Sequence, residues 1–409
     1  MSEQIPPQWS NFYLKDVSFV NLMMRRIYNV LIVANPYDAF MLEDDGRVEE
    51  KIYNEYMELG LRYPPTFTQV STTEEAAKVL STVDIDLVIC MPGNADNDAF
   101  DVARAVKAEF PGIHCVVLTP FSHGITQRIQ HEDLSIFDYV FCWLGNTNLI
   151  LSIIKLMEDK MNIDHDIREV GVQMILLVED SIRFYSSILP NLYGYILTQS
   201  RNFATEALTR HDASLRQRGR PKVVLARTYD EAWEIYQRYK DNCLGVISDV
   251  RFPINNNVER KEKTSAKDPE AGLKLLRAIR KEDEYLPLII ESSEGDNRKK
   301  AEAEGFRFVD KNSKKMSVDL RHLLEEHMGF GDFIFRDPRT HEEVMRIRSL
   351  KELQDNIFQI PRDSMLYHIS RNHVSRWLSA RAIFPVSSFL KGITWHKLQD
   401  VDMHRQIIF

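Results

Sequence analysis

Short apolar runs rich in β-branched residues recur along most of this chain, and stretches with helical spacing separate them. In the first half the strand-like runs are Asn29–Ala34, Thr66–Val70, Asp86–Met91, His114–Thr119 and Asp138–Trp143. Helix-like segments fall between them, including TEEAAKVL and Ala99–Glu109, and a last one runs to about Met161. The second half repeats the series with strand-like runs at Met174–Asp180, Lys222–Ala226, Leu244–Asp249, Pro287–Ser293 and Arg307–Lys311. Its helices include a long one after the first strand, YDEAWEIYQRY, Ala271–Lys281 and a closing one to about Met328. Five apolar strands alternating with helices predict an α/β unit, a doubly wound parallel sheet with helices on both faces, and here two in tandem. In such a sheet ligands bind outside the carboxyl ends of the strands, so functional residues belong just after each strand.

This pattern divides the chain into an N-terminal extension (1–26), a first unit (27–161), a polar linker (162–171), a second unit (172–330) and a mainly helical C-terminal segment (331–409). The charged stretch 255–268, NNNVERKEKTSAKD, reads as a mobile loop inserted after the third strand of the second unit. Beyond Gly331 the chain reads DFIFRD, then a helix capped by Ser349 and stopped by Pro361. A second helix, capped by Ser364, is expected to run until Pro385.

Composition narrows the function classes. The chain has 409 residues, 44% hydrophobic and 27% charged, as in globular proteins with two or three domains. Its net charge of −8 argues against sequence-independent nucleic-acid binding by the whole surface. The polar start shows no signal peptide, and no apolar run is long enough to span a bilayer. Cys90, Cys115, Cys142 and Cys243 each stand alone, with no C-x-x-C pair, which argues against a zinc site or a disulfide framework. Free thiols point to the reducing cytoplasm.

The strand ends of the second unit carry Glu179 and Asp180, Asp249, Ser292 and Lys311. Three carboxylates converging at one sheet edge repel one another unless a cation is present, and a small hard cation such as Mg²⁺ suits oxygen ligands. Lys311 and the Ser292 hydroxyl then supply a charge and a hydrogen bond for an anionic group. Together these residues describe a carboxylate attacking a phosphoryl group.

This constellation resembles the receiver family of two-component response regulators, whose pattern is an acidic pair, an aspartate, a Thr/Ser and a lysine at these strand ends. The stretch DVRFP from Asp249 resembles the family's aspartate followed by two residues, an apolar one and proline. The resemblance implies a flavodoxin-like sheet with Asp249 as phosphoacceptor. It implies Mg²⁺ held by Glu179, Asp180, Asp249 and the Arg251 backbone carbonyl, Ser292 and Lys311 on the phosphoryl oxygens, and Phe308 as a switch aromatic. It further implies phosphorylation by a sensor histidine kinase or a small phosphodonor, with the chain a phosphoacceptor rather than an enzyme. Asn312 departs from the proline that usually follows the lysine in that family, a difference that falls on the output face.

At the same positions the first unit has Ala34 and Asn35 for the acidic pair, Met91 for the acceptor and Trp143 for the lysine; only Thr119 survives. It resembles a degenerate receiver, suited to pairing with the second unit or with another protein. Asp96 and Asp98, in GNADND, read as part of a turn.

In the C-terminal segment, Met365, Leu366, Ile369, Val374, Trp377, Leu378 and Ile383 read as packing residues. Arg371, Arg376 and Arg381 read as a solvated face rather than a DNA-reading one, and His368 and His373 as surface or packing residues rather than phosphorelay histidines. The order of a degenerate receiver, a complete receiver and the segment R-N-H-x-S-x-W-L-x-A-R (Arg371–Arg381) is similar to the N-terminal region of bacterial phosphoenolpyruvate synthase or pyruvate phosphate dikinase-like proteins. That similarity implies an attached or partner phosphotransfer enzyme as output. No catalytic part of such an enzyme is visible in the sequence, which leaves open whether the chain is a piece of a longer protein.

Rival readings are a receiver-fold scaffold without phosphorylation, a DNA-binding regulator acting through the C-terminal helices, and an aspartate phosphatase. The last normally needs an acid two residues after the nucleophile, where Arg251 stands. A dinucleotide fold lacks its glycine-rich turn, since neither VANPYD nor VEDSIR carries one. The sequence leaves a homodimer open.

Overall fold

The structure is a computed structural model that describes residues 22–40, 42, 47–92, 99–120, 134–143, 145–207, 209–255, 267–391 and 401–408. The first 21 residues, the GNADND turn and the bulk of the 255–268 insertion lie outside the described residues. The chain forms two compact units. One comprises Met24–Met161 with Ser181–Gly194, the other Met1–Met23, Asn162–Asp180 and Tyr195–Phe409.

The first unit holds β1 (Asn29–Val33), β2 (Thr66–Val70), β3 (Leu87–Cys90), β4 (His114–Pro120) and β5 (Tyr139–Trp143) in a parallel sheet of order β2-β1-β3-β4-β5. That is the flavodoxin-like doubly wound order. All four residues of β3 are buried, because helices cover both faces and leave no solvated side for polar residues. The core packs Leu31, Val33, Val88, Cys90 and Val117 against Phe100, Ala103 and Val106 of helix Ala99–Glu109. Strand β5 is a sheet edge, and its backbone is satisfied by the helix Ile182–Thr205: the Tyr185 hydroxyl donates to the Val140 carbonyl, and the Cys142 N–H donates to Ser186 Oγ at 2.9 Å.

In the second unit β6 (Met174–Val178), β7 (Lys222–Ala226), β8 (Cys243–Asp249), β9 (Leu288–Ser292) and β10 (Arg307–Asp310) form a parallel sheet of order β10-β9-β8-β6-β7, the same topology again. The internal repeat extends to helix caps. After β2, Thr72 accepts from the Glu75 N–H while the Glu75 carboxylate accepts from the Ser71 N–H. After β7, Thr228 and Glu231 make the same pair, with Arg227 in the place of Ser71. Each such cap contributes about 1 kcal/mol and fixes where its helix starts. The polar stretch 162–171 continues helix Asn148–Val170 and ends at Gly171, whose φ of +84° suits glycine.

The two doubly wound sheets and the mainly helical C-terminal segment expected from the sequence are thus present. The segment also contains a hairpin the sequence reading did not anticipate, β11 (Phe333–Arg336) against β12 (Glu343–Ile347). Ser349 caps its helix as expected, accepting from Glu352 N–H at 3.1 Å. The long helix expected from Ser364 to Pro385 is instead two, Arg362–Ser370 and His373–Ala380. Asn372 breaks it in the left-handed region at φ 59°, a conformation asparagine tolerates. Pro385 opens a further helix, Phe384–Lys391, rather than stopping one, because the first turn needs no amide donor.

The predicted packing residues hold: Met365, Ile369, Val374, Trp377 and Leu378 are buried together, with Leu366 and Ile383 packed against them. The solvated arginine face does not. Arg376 and Arg381 are buried and donate to backbone carbonyls, Arg376 to Tyr285 at 3.0 Å and Arg381 to Gly329 at 2.7 Å and Gly331 at 3.1 Å. Arg371 lies over the rings of Tyr367 and Tyr285. Carbonyls at loop ends take the place of water for these guanidiniums, though Arg381 Nε is buried with no partner among the described residues. The histidines are packing residues: His368 accepts from the Arg336 N–H and is 3.0 Å from His373, nitrogen to nitrogen. Tyr285, Gly171 and Asp241, contacted by the C-terminal segment or beside its contacts, all precede strands. The segment is therefore fixed where strands of the second sheet begin, at the opposite end from their carboxyl termini.

Among the described residues, no helix is long and apolar enough to cross a membrane, and the four cysteines are free and buried.

Candidate functional site

Parallel pairing brings the chemistry together. Strand β8 lies between β6 and β9, so its last residue, Asp249, comes beside the residues that follow β6, Glu179 and Asp180, and in register with Glu291 of β9. Strand β10 pairs Asp310 with Ser292, and the Lys311 N–H donates to the Ser292 carbonyl at 3.0 Å, which sets the lysine at the same sheet end. A glycine makes room for this. A side-chain carbon at Gly272, in the first turn of helix Ala271–Glu282, would lie 1.9 Å from the Asp249 carbonyl oxygen. Only glycine lets the helix start there, its N–H donating to the Val250 carbonyl.

Of the residues predicted from sequence, Glu179, Asp180, Asp249 and Lys311 form one cluster. An oxygen from each of the three carboxylates lies within 4.8 Å of the others. The Lys311 ammonium bridges Glu179 and Asp249, reaching Asp249 Oδ1 at 2.8 Å. Asp180 Oδ1 is buried and has no partner among the described residues. An orphaned carboxylate oxygen beside two further carboxylates is the donor set a hard divalent cation takes. Arg251 follows on the loop after β8 with its side chain exposed, and its carbonyl accepts no hydrogen bond from the described residues.

Ser292 is buried at the end of β9. Its Oγ accepts from Glu294 N–H at 3.1 Å and from Asn297 Nδ2 at 2.9 Å, which leaves its own hydrogen as a donor. Phe308 is half-buried on the core, with the Arg298 guanidinium 4.7 Å above its ring.

Two residues escaped the sequence reading. Glu291 is fully buried in β9, and neither carboxylate oxygen has a donor among the described residues. Burial, opposed by Lys311 but reinforced by Glu179 and Asp249, pushes its pKa up to about 8. Its near neighbour Glu179 is another carboxylate, so a hydrogen bond between them needs a proton on one of the two. The signal was a carboxylate inside an otherwise apolar strand, LIIES. Lys267, at the end of the charged insertion, pairs with Asp180 Oδ2 at 2.6 Å. Burial raises the Asp180 pKa, with Lys267 pulling the other way. Burial also works against the charge on Lys311, but Glu291, Glu179 and Asp249 outweigh it and raise its pKa above the ordinary lysine value.

In the first unit the corresponding positions are closed. Ala34, Met91 and Thr119 are buried and Trp143 is half-buried. Asn35 is engaged in a local cap, its Oδ1 accepting from Asp38 N–H at 2.9 Å and its Nδ2 donating to Asp38 Oδ2 at 2.7 Å.

No family model matches this sequence, and no curated protein does. Among solved structures the chain is similar to a response regulator receiver domain protein (CheY-like) from Methanospirillum hungatei JF-1. Identity is 14%, covering 34% of this chain and 98% of that one, with a TM-score of 0.26. It is also similar to the signal receiver domain of a putative LuxO repressor protein from Vibrio parahaemolyticus, at 13% identity over 34% of this chain and 95% of that one, with a TM-score of 0.25. The fold assignment rests on the strand order itself.

Proposed function

We propose that the second unit is a phosphoacceptor switch of the response-regulator kind, and that the first is its chemically silent counterpart. The observation that carries this is the buried Lys311 bridge between Glu179 and Asp249, beside an Asp180 oxygen with no partner. An Asp249 oxygen would attack the phosphorus of a phosphohistidine kinase or a small phosphodonor. The bond from phosphorus to the donor breaks, the donor leaves with its electron pair, and an aspartyl phosphate remains. Glu179, Asp180, Asp249 and the Arg251 carbonyl would hold Mg²⁺, which when bound offsets negative charge on the phosphoryl oxygens. Lys311 would turn its ammonium from Asp249 to a phosphoryl oxygen, and the Ser292 hydrogen is free to donate to another.

Ser292 is tied to Asn297 in the first turn of helix Asp296–Ala303, and the next residue, Arg298, covers Phe308. Movement of Ser292 toward a phosphoryl group would thus disturb the face formed by that helix and β10, the natural output surface. The C-terminal segment is fixed at strand starts, so the attached or partner module, a phosphoenolpyruvate synthase-like enzyme in the reading from Arg371–Arg381, would be addressed from elsewhere. Turnover as a phosphatase is disfavoured because residue 251 is an exposed arginine rather than an acid. The test is the intact mass after incubation with Mg²⁺ and acetyl phosphate. The native chain gains one phosphoryl group and Asp249→Asn gains none; equal labelling of that variant contradicts the proposal.

A further inference from the structure

Lys267 has no place in the chemistry so far. It stands where the inserted stretch returns to the sheet, and the backbone fixes it there. The Asp268 N–H donates to the carbonyl of the fully buried Phe252 at 3.1 Å, and the Asp268 carboxylate accepts from Glu270 N–H and from Lys274. From this anchor the Lys267 ammonium reaches Asp180 Oδ2 at 2.6 Å. The Asp180 side chain is only 11% exposed while that of Lys267 is 45% exposed, so the ammonium enters the site from the solvent side. Lys311 alone faces three carboxylates, and Lys267 adds a second positive charge to the acid whose other oxygen has no partner.

We infer that Lys267 is a tethered cation that competes with the divalent metal for Asp180 and sets how tightly the metal is held. This rests on the reading of the cluster as a cation site. A metal ion at the free Asp180 oxygen must either displace the ammonium or bind beside it, and both weaken metal binding. The pair also spares Asp180 from repulsion by Asp249 while the metal is away.

Titration of the full chain with Mg²⁺, followed by calorimetry, tests the inference on the native protein, Lys267→Gln and Lys267→Arg. The half-exposed position lets both variants keep the fold. Lys267→Gln is expected to bind Mg²⁺ roughly tenfold more tightly, as removal of a like charge a few ångströms away would give. Lys267→Arg keeps the charge and is expected to stay within about twofold of native on the same grounds. Equal or weaker binding by Lys267→Gln overturns the role of Lys267 while leaving the cation site standing. Absence of Mg²⁺ binding by all three proteins overturns the site reading and this inference with it.

Discussion

The two sheets share strand order and the Thr-x-x-Glu cap after their second strands, yet their carboxyl ends are built from opposite materials. One end is closed with Ala34, Met91 and a half-buried Trp143; the other gathers Glu179, Asp180, Asp249 and Lys311. The fold needs only buried apolar strands and well-started helices, and both halves have them. The charged end is an addition that costs desolvation, offset by Lys311 between Glu179 and Asp249 and by Lys267 on one oxygen of Asp180. The comparison separates what makes this fold from what gives one sheet end its charged cluster.

The comparison breaks most severely if a carboxylate is placed in the silent end. Met91→Asp buries a charge with tryptophan where the lysine would stand, and is expected to cost about 3–5 kcal/mol in urea unfolding without creating a labelled site. In the charged end, Lys311→Met leaves Glu179 and Asp249 without their shared cation. It should cost about 3 kcal/mol, partly restored by millimolar Mg²⁺, whereas Mg²⁺ should leave Met91→Asp unchanged. Gly272→Ala forces the helix start away from the Asp249 carbonyl; a loss of about 2 kcal/mol, with weakened Mg²⁺ binding by calorimetry, is expected.

The smallest effect concerns the C-terminal segment. Burial, with nearby Arg336, lowers the His368 pKa to about 4. A depressed folded-state pKa gives stability that is full above the ordinary value of about 6.5 and lost as pH falls toward 4. The unfolding free energy from urea titration should therefore fall between pH 7 and 5, by about 1–2 kcal/mol for this group. His327 and His373 are lowered by burial as well, so His368→Asn should reduce that slope rather than abolish it, and an unchanged slope would remove His368 as a contributor.

The strands and the clustering of the candidate residues Glu179, Asp180, Asp249 and Lys311 were legible because buried parallel strands are continuous apolar runs and their ends are where ligand chemistry sits. Glu291 and Lys267 were not, for different reasons. Glu291 looks like a strand residue, and only the neighbouring carboxylates give its burial a meaning. Lys267 is one lysine among several in a charged run, and the bridge between Phe252 and Asp268 that aims it is a tertiary contact. The break at Asn372 carries no proline or glycine. The buried arginines resembled a solvated face because their carbonyl partners, at 285, 329 and 331, lie far away in sequence. Alternation in FIF and EVMRI was the available sign of the hairpin, too short to stand out beside the helices.

The central claim is that one sheet end reacts and its counterpart does not. After treatment with acetyl phosphate and Mg²⁺, borohydride reduction converts an aspartyl phosphate to homoserine, and peptide mass spectrometry locates it. The account predicts the change in the peptide containing Asp249 and none in peptides from residues 27–161. A reduced aspartate in the first unit, or an unmodified Asp249 in a chain that has gained a phosphoryl group, would contradict it.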